Sequence, residues 1–109
     1  MRIVVIGAGT VGTWVADLLC RQRHSVTIVD SEVEQVRRIN AELDVKAIHG
    51  SGSESTVLFQ AGVSTCDICL AVSGVDEVNL VGASMAKARG ARRSVARVYG
   101  RVVHDLSTC

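Results

Sequence analysis

Short aliphatic runs alternate along this chain with longer stretches in which apolar residues recur every three or four positions. The aliphatic runs, each of which predicts a buried strand, occupy residues 3–6, 26–29, 46–48, 68–72 and 94–98. The helical stretches follow the first four strands, from Thr10 to about Arg21 and over residues 33–43, 54–61 and 76–89. Five strands separated by helices, without a hairpin signal, predict a single α/β domain over residues 1–109 with a parallel, doubly wound sheet.

Local signals predict where several of these helices begin and end. Ser31 and Glu34 match the S-x-x-E capping box, in which the serine hydroxyl caps the second helix. Gly62 and Gly90 follow the third and fourth helices, and glycine is typical of helix ends. After the fifth strand, part of a final helix is predicted from three apolar residues, Val102, Val103 and Leu106.

A glycine-rich turn separates the first strand from the first helix. Its sequence, Gly7-Ala-Gly-Thr-Val-Gly12, fits the G-x-G-x-x-G pattern of turns that hold the diphosphate of a dinucleotide. Gly7 makes the tight turn, Gly9 lets the backbone approach the phosphates, and Gly12 allows close helix–strand packing. Free N–H groups at the helix start then point at the phosphates. The predicted contacts are Gly7, Ala8, Gly9, Thr10, Val11 and Gly12.

An acidic residue closes the second strand, at about the separation from the turn that a Rossmann-like dinucleotide site requires. Asp30 is expected to accept hydrogen bonds from the adenosine ribose hydroxyls, with Ser31 beside it. Because a carboxylate repels a 2′-phosphate, NAD(H) or another unphosphorylated adenosine ligand is favoured over NADP. Two other interpretations stay open here: Asp30 could only support the next helix, and the turn could hold no ligand.

Two further loops meet the same edge of the predicted sheet, because right-handed crossovers bring the carboxyl ends of parallel strands together. Val72, Ser73 and Gly74 end the fourth strand and can reach a phosphate or ribose through backbone groups and a hydroxyl. Gly50 and Ser51 lie where an adenine would rest, and they could equally form only the entry to a helix.

Two acidic residues open the fourth helix close to this edge. Asp76 and Glu77 could contact a ligand, or they could simply complement the dipole of the helix that they begin. We favour the dipole interpretation for both, so neither is assigned to the ligand.

The charge balance argues against a nucleic-acid partner. The chain has 12 basic and 11 acidic residues and a net charge of +1, too little to attract a polyanion strongly. The basic stretch between Lys87 and Arg101 contains no acid, and a solvated face is favoured there over an anion or partner contact. No apolar run approaches the roughly 20 residues of a membrane helix, so a soluble, cytoplasmic chain without direct membrane insertion is expected.

The four cysteines do not predict a disulfide framework, because the aliphatic core is extensive. Cys66-Asp-Ile-Cys69 has the C-x-x-C spacing of a redox pair or of half a zinc site. The pair leads into the fourth strand rather than a helix N-terminus, and no second pair or paired histidines complete a metal site. Buried, structural cysteines are therefore favoured, and no metal site is predicted.

In combination, these motifs resemble one known family over nearly the whole chain. They follow one another in the family's order: the GAGTVG turn, Val29-Asp30, the His49-Gly50 turn, Leu58-x-x-Ala61-Gly62-Val63, the strand with Asp67, Asp76-Glu77-x-Asn79 and Val95-Ala-Arg97-Val98. The family is the nucleotide-binding N-terminal domain of Trk-type potassium-uptake regulatory subunits, also called the TrkA-N, RCK or KTN domain. The resemblance implies a regulatory domain, not an enzyme, that binds NAD(H) or ATP/ADP.

The resemblance also implies partners and contacts. The ligand state would pass to a membrane-embedded potassium transporter or channel subunit, at the inner face of the membrane, from a homo-dimer or higher homo-oligomer. The implied ligand contacts are Gly7 to Gly12, Asp30, the Gly50–Ser51 turn and Ser73–Gly74, with Asn79 and Arg97 nearby. The family usually carries an acid after the glycine of the middle turn, where this chain has Ser51.

The family fold normally continues to a sixth strand and a dimerisation helix. We therefore expect the sixth strand to be truncated here, and the chain to be a fragment of a longer architecture. The alternative function is the cofactor-binding half of an NAD-dependent dehydrogenase without its substrate domain, since none of the three histidines makes a convincing acid or base.

Overall fold

The computed structural model describes residues 1–98 and the backbone of residues 102–105. The strands of this part are β1 (Arg2–Ile6), β2 (Ser25–Asp30), β3 (Lys46–His49), β4 (Ile68–Ala71), β5 (Arg93–Val98) and β6 (Val102–Asp105). The helices are α1 (Thr10–Arg21), α2 (Val33–Glu42), α3 (Ser55–Ala61) and α4 (Asp76–Arg89), with a 3-10 turn at Val63–Thr65.

All six strands form one sheet, in the order β3-β2-β1-β4-β5-β6. The first five strands are parallel, which confirms the predicted doubly wound α/β fold. The chain winds from β1 outwards to β3 and then returns to place β4 on the other side of β1. The strand order therefore reverses between β1 and β4, and this is the position where open α/β sheets bind ligands.

Helices cover both faces of the sheet, and the side chains of β1 alternate between the two resulting cores. Ile3 and Val5 belong to the core under α1 and α2, whereas Val4 and Ile6 belong to the core under α3 and α4. Each of these four side chains is buried. A strand enclosed on both faces needs aliphatic residues at consecutive positions, which explains the unbroken runs in the sequence.

The predicted glycine stops are confirmed, but the predicted capping box at Ser31 is wrong. Gly62 has φ +91° and Gly90 has φ +127°, and each follows the last residue of its helix. Glu32, not Ser31, is the N-cap of α2, and no side-chain oxygen caps that helix. Instead, the Asp30 Oδ1 accepts the Glu32 N–H at 2.7 Å in a local turn, and the backbone of Glu32 stays extended, so the helix begins after it.

The predicted final helix is also wrong, because the described residues that follow β5 form a short antiparallel strand instead. Val102 and Val103 lie in β6, which pairs antiparallel with β5 so that Val98 faces Val102. Leu106 lies outside the described residues. A short apolar run does not distinguish helix from strand by its spacing, and here the open edge of β5 provides backbone partners for a strand.

Candidate nucleotide-binding site

The carboxyl ends of β1, β2 and β4 meet at one edge of the sheet, next to the point where the strand order reverses. β1 leads into the glycine turn, β2 ends at Asp30, and the chain after β4 reaches Ser73 and Gly74. A crevice of about 310 Å³ lies between these three segments. It is lined by Gly7, Gly9, Asp30, Ser31, Glu32, Gln35, Ser73, Gly74 and Val75.

The glycine turn has the conformation that its pattern predicts. Gly7 has φ +106°, a left-handed value that favours glycine, and its N–H donates to the Val29 carbonyl at 2.7 Å. A Cβ on Gly7 would lie 2.6 Å from the Cα of Ser73, so a side chain there would collide with the β4 loop. A Cβ on Gly12 would overlap the Gly7 carbonyl oxygen, which is why α1 can begin so close to β1.

Helix α1 begins at the wall of the crevice without a side-chain cap. Its N-cap is Gly9, and no side-chain oxygen of the described residues bonds to this helix end. The first bond of the helix joins the Thr13 N–H to the Gly9 carbonyl at 2.9 Å. The backbone N–H groups of Thr10, Val11 and Gly12 precede that bond, so they are the donors that a helix N-terminus leaves for a ligand.

Asp30 connects the glycine turn to the start of α2. Its Oδ2 accepts the Ala8 N–H at 2.7 Å, and its Oδ1 accepts the Glu32 N–H at 2.7 Å. A carboxylate has about four acceptor sites, so two remain for hydroxyl groups of a ligand. The half-buried position beside the crevice allows that second use. Asp30 therefore joins the glycine turn to the residue just before α2, and it also borders the predicted ribose position.

The β4 side of the crevice is held together by Asn79, which is fully buried in α4. Its Oδ1 accepts the Ser73 N–H at 2.9 Å and the Ser73 hydroxyl at 2.7 Å. Its Nδ2 donates to the carbonyl oxygens of Ser73 at 3.0 Å and Arg97 at 2.9 Å. The Arg97 guanidinium also donates to the Ser73 carbonyl, at 3.1 Å. Both residues thus act on the loop that lines the crevice, and neither is among the lining residues.

The middle turn lies at the far end of the crevice, beyond Asp30. Gly50 donates its N–H to the Asp30 carbonyl at 2.9 Å, which attaches the turn to the end of β2. The hydroxyls of Ser51 and Ser53 are 2.8 Å apart, so they satisfy each other where the resembling family carries an acid. A smaller cavity of about 70 Å³ extends from Asp30 and Ser31 to Ser51 and Gly52.

The remaining predicted site residues contribute through the backbone or lie outside the crevice. The Val11 side chain is 40% exposed, and Ala8 is fully buried. Val72 packs its side chain into the core under α1 and α2. Asp76 and Glu77 occupy the first turn of α4 and are not among the residues that line the crevice, in keeping with the dipole interpretation.

Sequence reasoning missed one residue of this region, Arg38 of α2. Its Nη2 donates to the Ala8 carbonyl at 3.0 Å, and so it reaches the glycine turn from the neighbouring helix. A larger cavity of about 600 Å³ lies on that side, between α1 and α2, and shares only Gly9 and Gln35 with the crevice. No local motif marks Arg38, because its contact depends on how α2 packs beside α1.

The cysteines of the C-x-x-C pair are buried, as predicted. Cys66 is 1% exposed and Cys69 is fully buried, and both belong to the core under α3 and α4. Burial, with a smaller contribution from the Asp67 charge, raises the pKa of Cys66 to about 11. Burial raises the pKa of Cys69 to about 12. Such thiols are protonated near neutral pH and are poor nucleophiles. No cluster able to hold a metal occurs among the described residues.

Together, the strand order, the glycine turn and the acid at the end of β2 define a domain with the Rossmann fold. The family model named TrkA-N domain matches residues 3–106, and the chain belongs to that family. The resemblance drawn from the motifs is thereby confirmed. Within the described part of the chain, no helix combines the length and apolar character needed to cross a bilayer.

Two curated relatives show the same relationship. The chain is 45% identical over 98 residues to the Trk system potassium uptake protein TrkA homolog of Archaeoglobus fulgidus, covering 90% of this chain and 22% of that protein. It is 37% identical over 86 residues to the Trk system potassium uptake protein TrkA of Halomonas elongata, covering 79% of this chain and 19% of that protein. The chain therefore spans about a fifth of the length of these relatives.

Solved structures share the fold at low sequence identity. The NAD(P)-binding domain of an exopolyphosphatase-related protein from Archaeoglobus fulgidus superposes with a TM-score of 0.70 and 18% identity, over 81% of this chain and 65% of that one. The Kef CTD of Shewanella denitrificans, in its AMP-bound form, has a TM-score of 0.69 and 19% identity, over 81% of this chain and 52% of that one. Both likenesses concern the fold.

Proposed function

We propose that this domain senses adenine nucleotides, NAD(H) first and ATP or ADP second, for a potassium uptake system. The observation that carries the proposal is the start of α1, which faces the crevice without a side-chain cap while Asp30 borders the same crevice. Family membership and the names of the relatives support the physiological role. The AMP-bound and NAD(P)-binding neighbours support the ligand class.

The proposed ligand uses the crevice in three parts. Its diphosphate lies against the uncapped N–H groups of α1, where the helix dipole also favours an anion. Its adenosine ribose donates hydroxyl groups to Asp30, and its adenine lies toward Ser51. ADP and ATP can make the same contacts. NADP is disfavoured because a 2′-phosphate would meet the carboxylates of Asp30 and Glu32, which both line the crevice.

Regulation requires that the ligand bind two arrangements of the domain with different affinity. In this proposal the domain works as a homo-dimer or higher homo-oligomer, at the cytoplasmic face of a membrane-embedded potassium transporter or channel subunit. Nucleotides of different charge and length would favour different arrangements. The β4 loop, Asn79 and Arg97 connect the crevice to α4 and β5, and they offer a physical route for that change.

A binding role, rather than an enzymatic one, fits the chemistry of the crevice. Among the described residues, its lining holds no histidine, lysine, tyrosine or cysteine to act as an acid or base beside a nicotinamide, and its two carboxylates, Asp30 and Glu32, lie at the proposed ribose position. His49, which is near the middle turn, has its Nε2 3.0 Å from the Ser31 carbonyl oxygen. The dehydrogenase alternative would need these groups from elsewhere, so we place it second.

The experiment is calorimetric titration of the chain with NADH, NAD, ADP, ATP and NADPH. Asp30→Asn removes the charge with little change in shape, and it is expected to weaken NADH binding about tenfold because a charged acceptor is lost. The same substitution should narrow the preference for NADH over NADPH. Asp17→Ala is the control, since Asp17 lies on α1 outside the crevice and pairs with Arg21 at 3.2 Å. It removes the same charge and should leave binding unchanged.

Equal affinity of the native chain for NADPH and NADH would contradict the ribose assignment. So would an Asp30→Asn variant that binds NADH as tightly as the native chain does. Oxidation of a hydroxy acid with NAD by this chain alone would overturn the non-enzymatic role.

A further inference from the structure

Arg38 binds the glycine turn from outside the crevice. The guanidinium Nη2 lies 3.0 Å from the Ala8 carbonyl oxygen, 2.9 Å from Thr13 Oγ1 and 2.7 Å from Gln35 Oε1. The Thr13 hydroxyl itself donates to the Ala8 carbonyl at 3.0 Å. The side chain of Arg38 is 36% exposed, so these bonds form in a partly desolvated place where they count for more than on an open surface.

With Asp30, these contacts hold the backbone on both sides of Ala8. The Ala8 N–H is held by the Asp30 carboxylate and the Ala8 carbonyl is held by Arg38 and Thr13. The two peptide planes that flank Ala8 are therefore both held, and the second of them joins Ala8 to Gly9. The next residue is Gly9, the N-cap of α1, so the orientation of the helix donors depends on this peptide.

The charge of the region makes the same residue important for a phosphate ligand. The crevice is lined by the acids Asp30 and Glu32, and the cavity on the other side of the turn is lined by Asp17 and Glu42. Among the residues that line these two cavities, Arg38 is the one that carries a positive charge. Its ionic partner Glu42 is 3.8 Å away and 61% exposed, so that pair is a weak surface contact.

We propose that Arg38 is the positioning residue of the diphosphate site, and that it sets the preference for ligands with a diphosphate over adenosine. The proposal rests on the function proposed above and concerns the same crevice. Arg38 holds the Ala8 peptide so that the following N–H groups face the phosphates. Its fork of donors is required as well as its charge, because Nε and Nη2 both donate to Gln35 Oε1 while Nη2 also reaches the Ala8 carbonyl and the Thr13 hydroxyl.

The test compares the affinities of adenosine, ADP and NADH for the native chain and for Arg38→Gln. Loss of the charged donor fork is expected to weaken ADP and NADH about tenfold, while adenosine, which has no phosphate, changes less than about twofold. Arg37→Gln is the matched control, because Arg37 is the preceding residue of the same helix. Its side chain is 71% exposed, and among the ion pairs of the described residues it joins only Glu34. It should leave all three affinities unchanged.

Two further variants separate positioning from charge and from loss of folding. Arg38→Lys keeps the charge but lacks the Nε donor and the planar fork that anchors the side chain on Gln35, so it should recover less than half of the lost ADP binding energy. Thr13→Val removes the shared hydroxyl, and its effect on ADP should be smaller and not additive with Arg38→Gln. A variant that is merely less folded would lose adenosine and ADP binding by the same factor.

Three results would overturn the inference: unchanged ADP affinity in Arg38→Gln, equal loss of adenosine and ADP, or complete recovery with lysine. A native chain that binds neither ADP nor NADH would instead refute the proposed function.

Discussion

Alanine substitution should affect Gly12 and Gly9 of the glycine turn differently, through the stability of the fold at Gly12 and through ligand binding at Gly9. A Cβ on Gly12 would overlap the Gly7 carbonyl oxygen and lie 2.8 Å from the carbonyl carbon. Both atoms belong to the backbone of the turn, so Gly12→Ala forces α1 away from β1. Gly9 has φ −74°, and a Cβ on it would meet nothing within 4 Å. Gly9→Ala therefore fits the unliganded fold.

The size of the difference follows from these contacts. Overpacking against backbone costs about 1–3 kcal/mol, so Gly12→Ala should lower the free energy of unfolding by that amount. Replacing glycine by alanine at a compatible backbone conformation stabilises by about 0.4–1 kcal/mol. Alanine is a poorer N-cap than glycine by a similar amount, so Gly9→Ala should leave the stability nearly unchanged. The two variants should thus differ by about 1–3 kcal/mol, or roughly 4–24 °C in Tm for a domain of this size.

Thermal and urea unfolding measure the first half of this prediction, and calorimetry with NADH measures the second. Gly9 lines the crevice, so the alanine methyl would stand where the backbone should approach the phosphates. Gly9→Ala should therefore fold normally and bind NADH at least tenfold more weakly. Normal stability of Gly12→Ala, or native NADH affinity of Gly9→Ala, would refute this division of roles.

The other predictions concern stability and reactivity. Asn79→Asp should lower the free energy of unfolding, measured by urea denaturation, by about 2–4 kcal/mol, because the carbonyl oxygens of Ser73 and Arg97 lose their buried donor. Asn40→Asp is the control. It keeps the oxygen that accepts the Ala47 N–H and should change the free energy of unfolding by less than about 0.5 kcal/mol. The fold keeps the Cys66 and Cys69 thiols protonated, since it raises their pKa values from 9.0 to about 11 and about 12. The free energy of unfolding should therefore be unaffected by these thiols below pH 9 and should fall as the pH rises toward 11–12. Cys69→Ala should make that decline shallower, and an unchanged slope would contradict the assignment. Iodoacetamide should label the part-exposed Cys20 of the native chain well before either buried thiol, as mass spectrometry of peptides can show.

Much of the fold could be predicted because its determinants are local. Both faces of β1 are buried, so four successive aliphatic residues mark it without ambiguity. Gly62 and Gly90 adopt positive φ values that other residues avoid, which makes the ends of α3 and α4 readable from the sequence. The glycine turn and Asp30 could be located for the same reason, since each has a fixed place relative to its strand.

The errors arose where one local pattern competed with another contact. Ser31 and Glu34 match a capping box, but Asp30 forms a turn with the Glu32 N–H, and the helix begins only after the extended Glu32. Val102 and Val103 could belong to a helix or a strand, and their pairing with β5 is a tertiary contact that the spacing does not encode.

The roles within the site were partly hidden for a related reason. The sequence predicts Asn79 near the ligand, whereas in the structure its amide forms hydrogen bonds with the β4 loop and with β5. Arg38 was missed because 30 residues separate it from Ala8, and only the packing of α2 beside α1 brings them together. Residues that stabilise a binding loop without lining the site do not form a recognisable sequence motif.

The most direct test of the central claim is an NMR titration of the isotopically labelled chain with NADH. Binding at the proposed crevice should shift the backbone amide signals of Gly9, Thr10 and Val11 at the start of α1, together with those of Ser73 and Gly74. The signals of Thr65 and Lys46, at the opposite edge of the sheet, should stay in place. Shifts confined to that opposite edge, or no shifts at all, would contradict the claim that this glycine turn holds an adenine nucleotide.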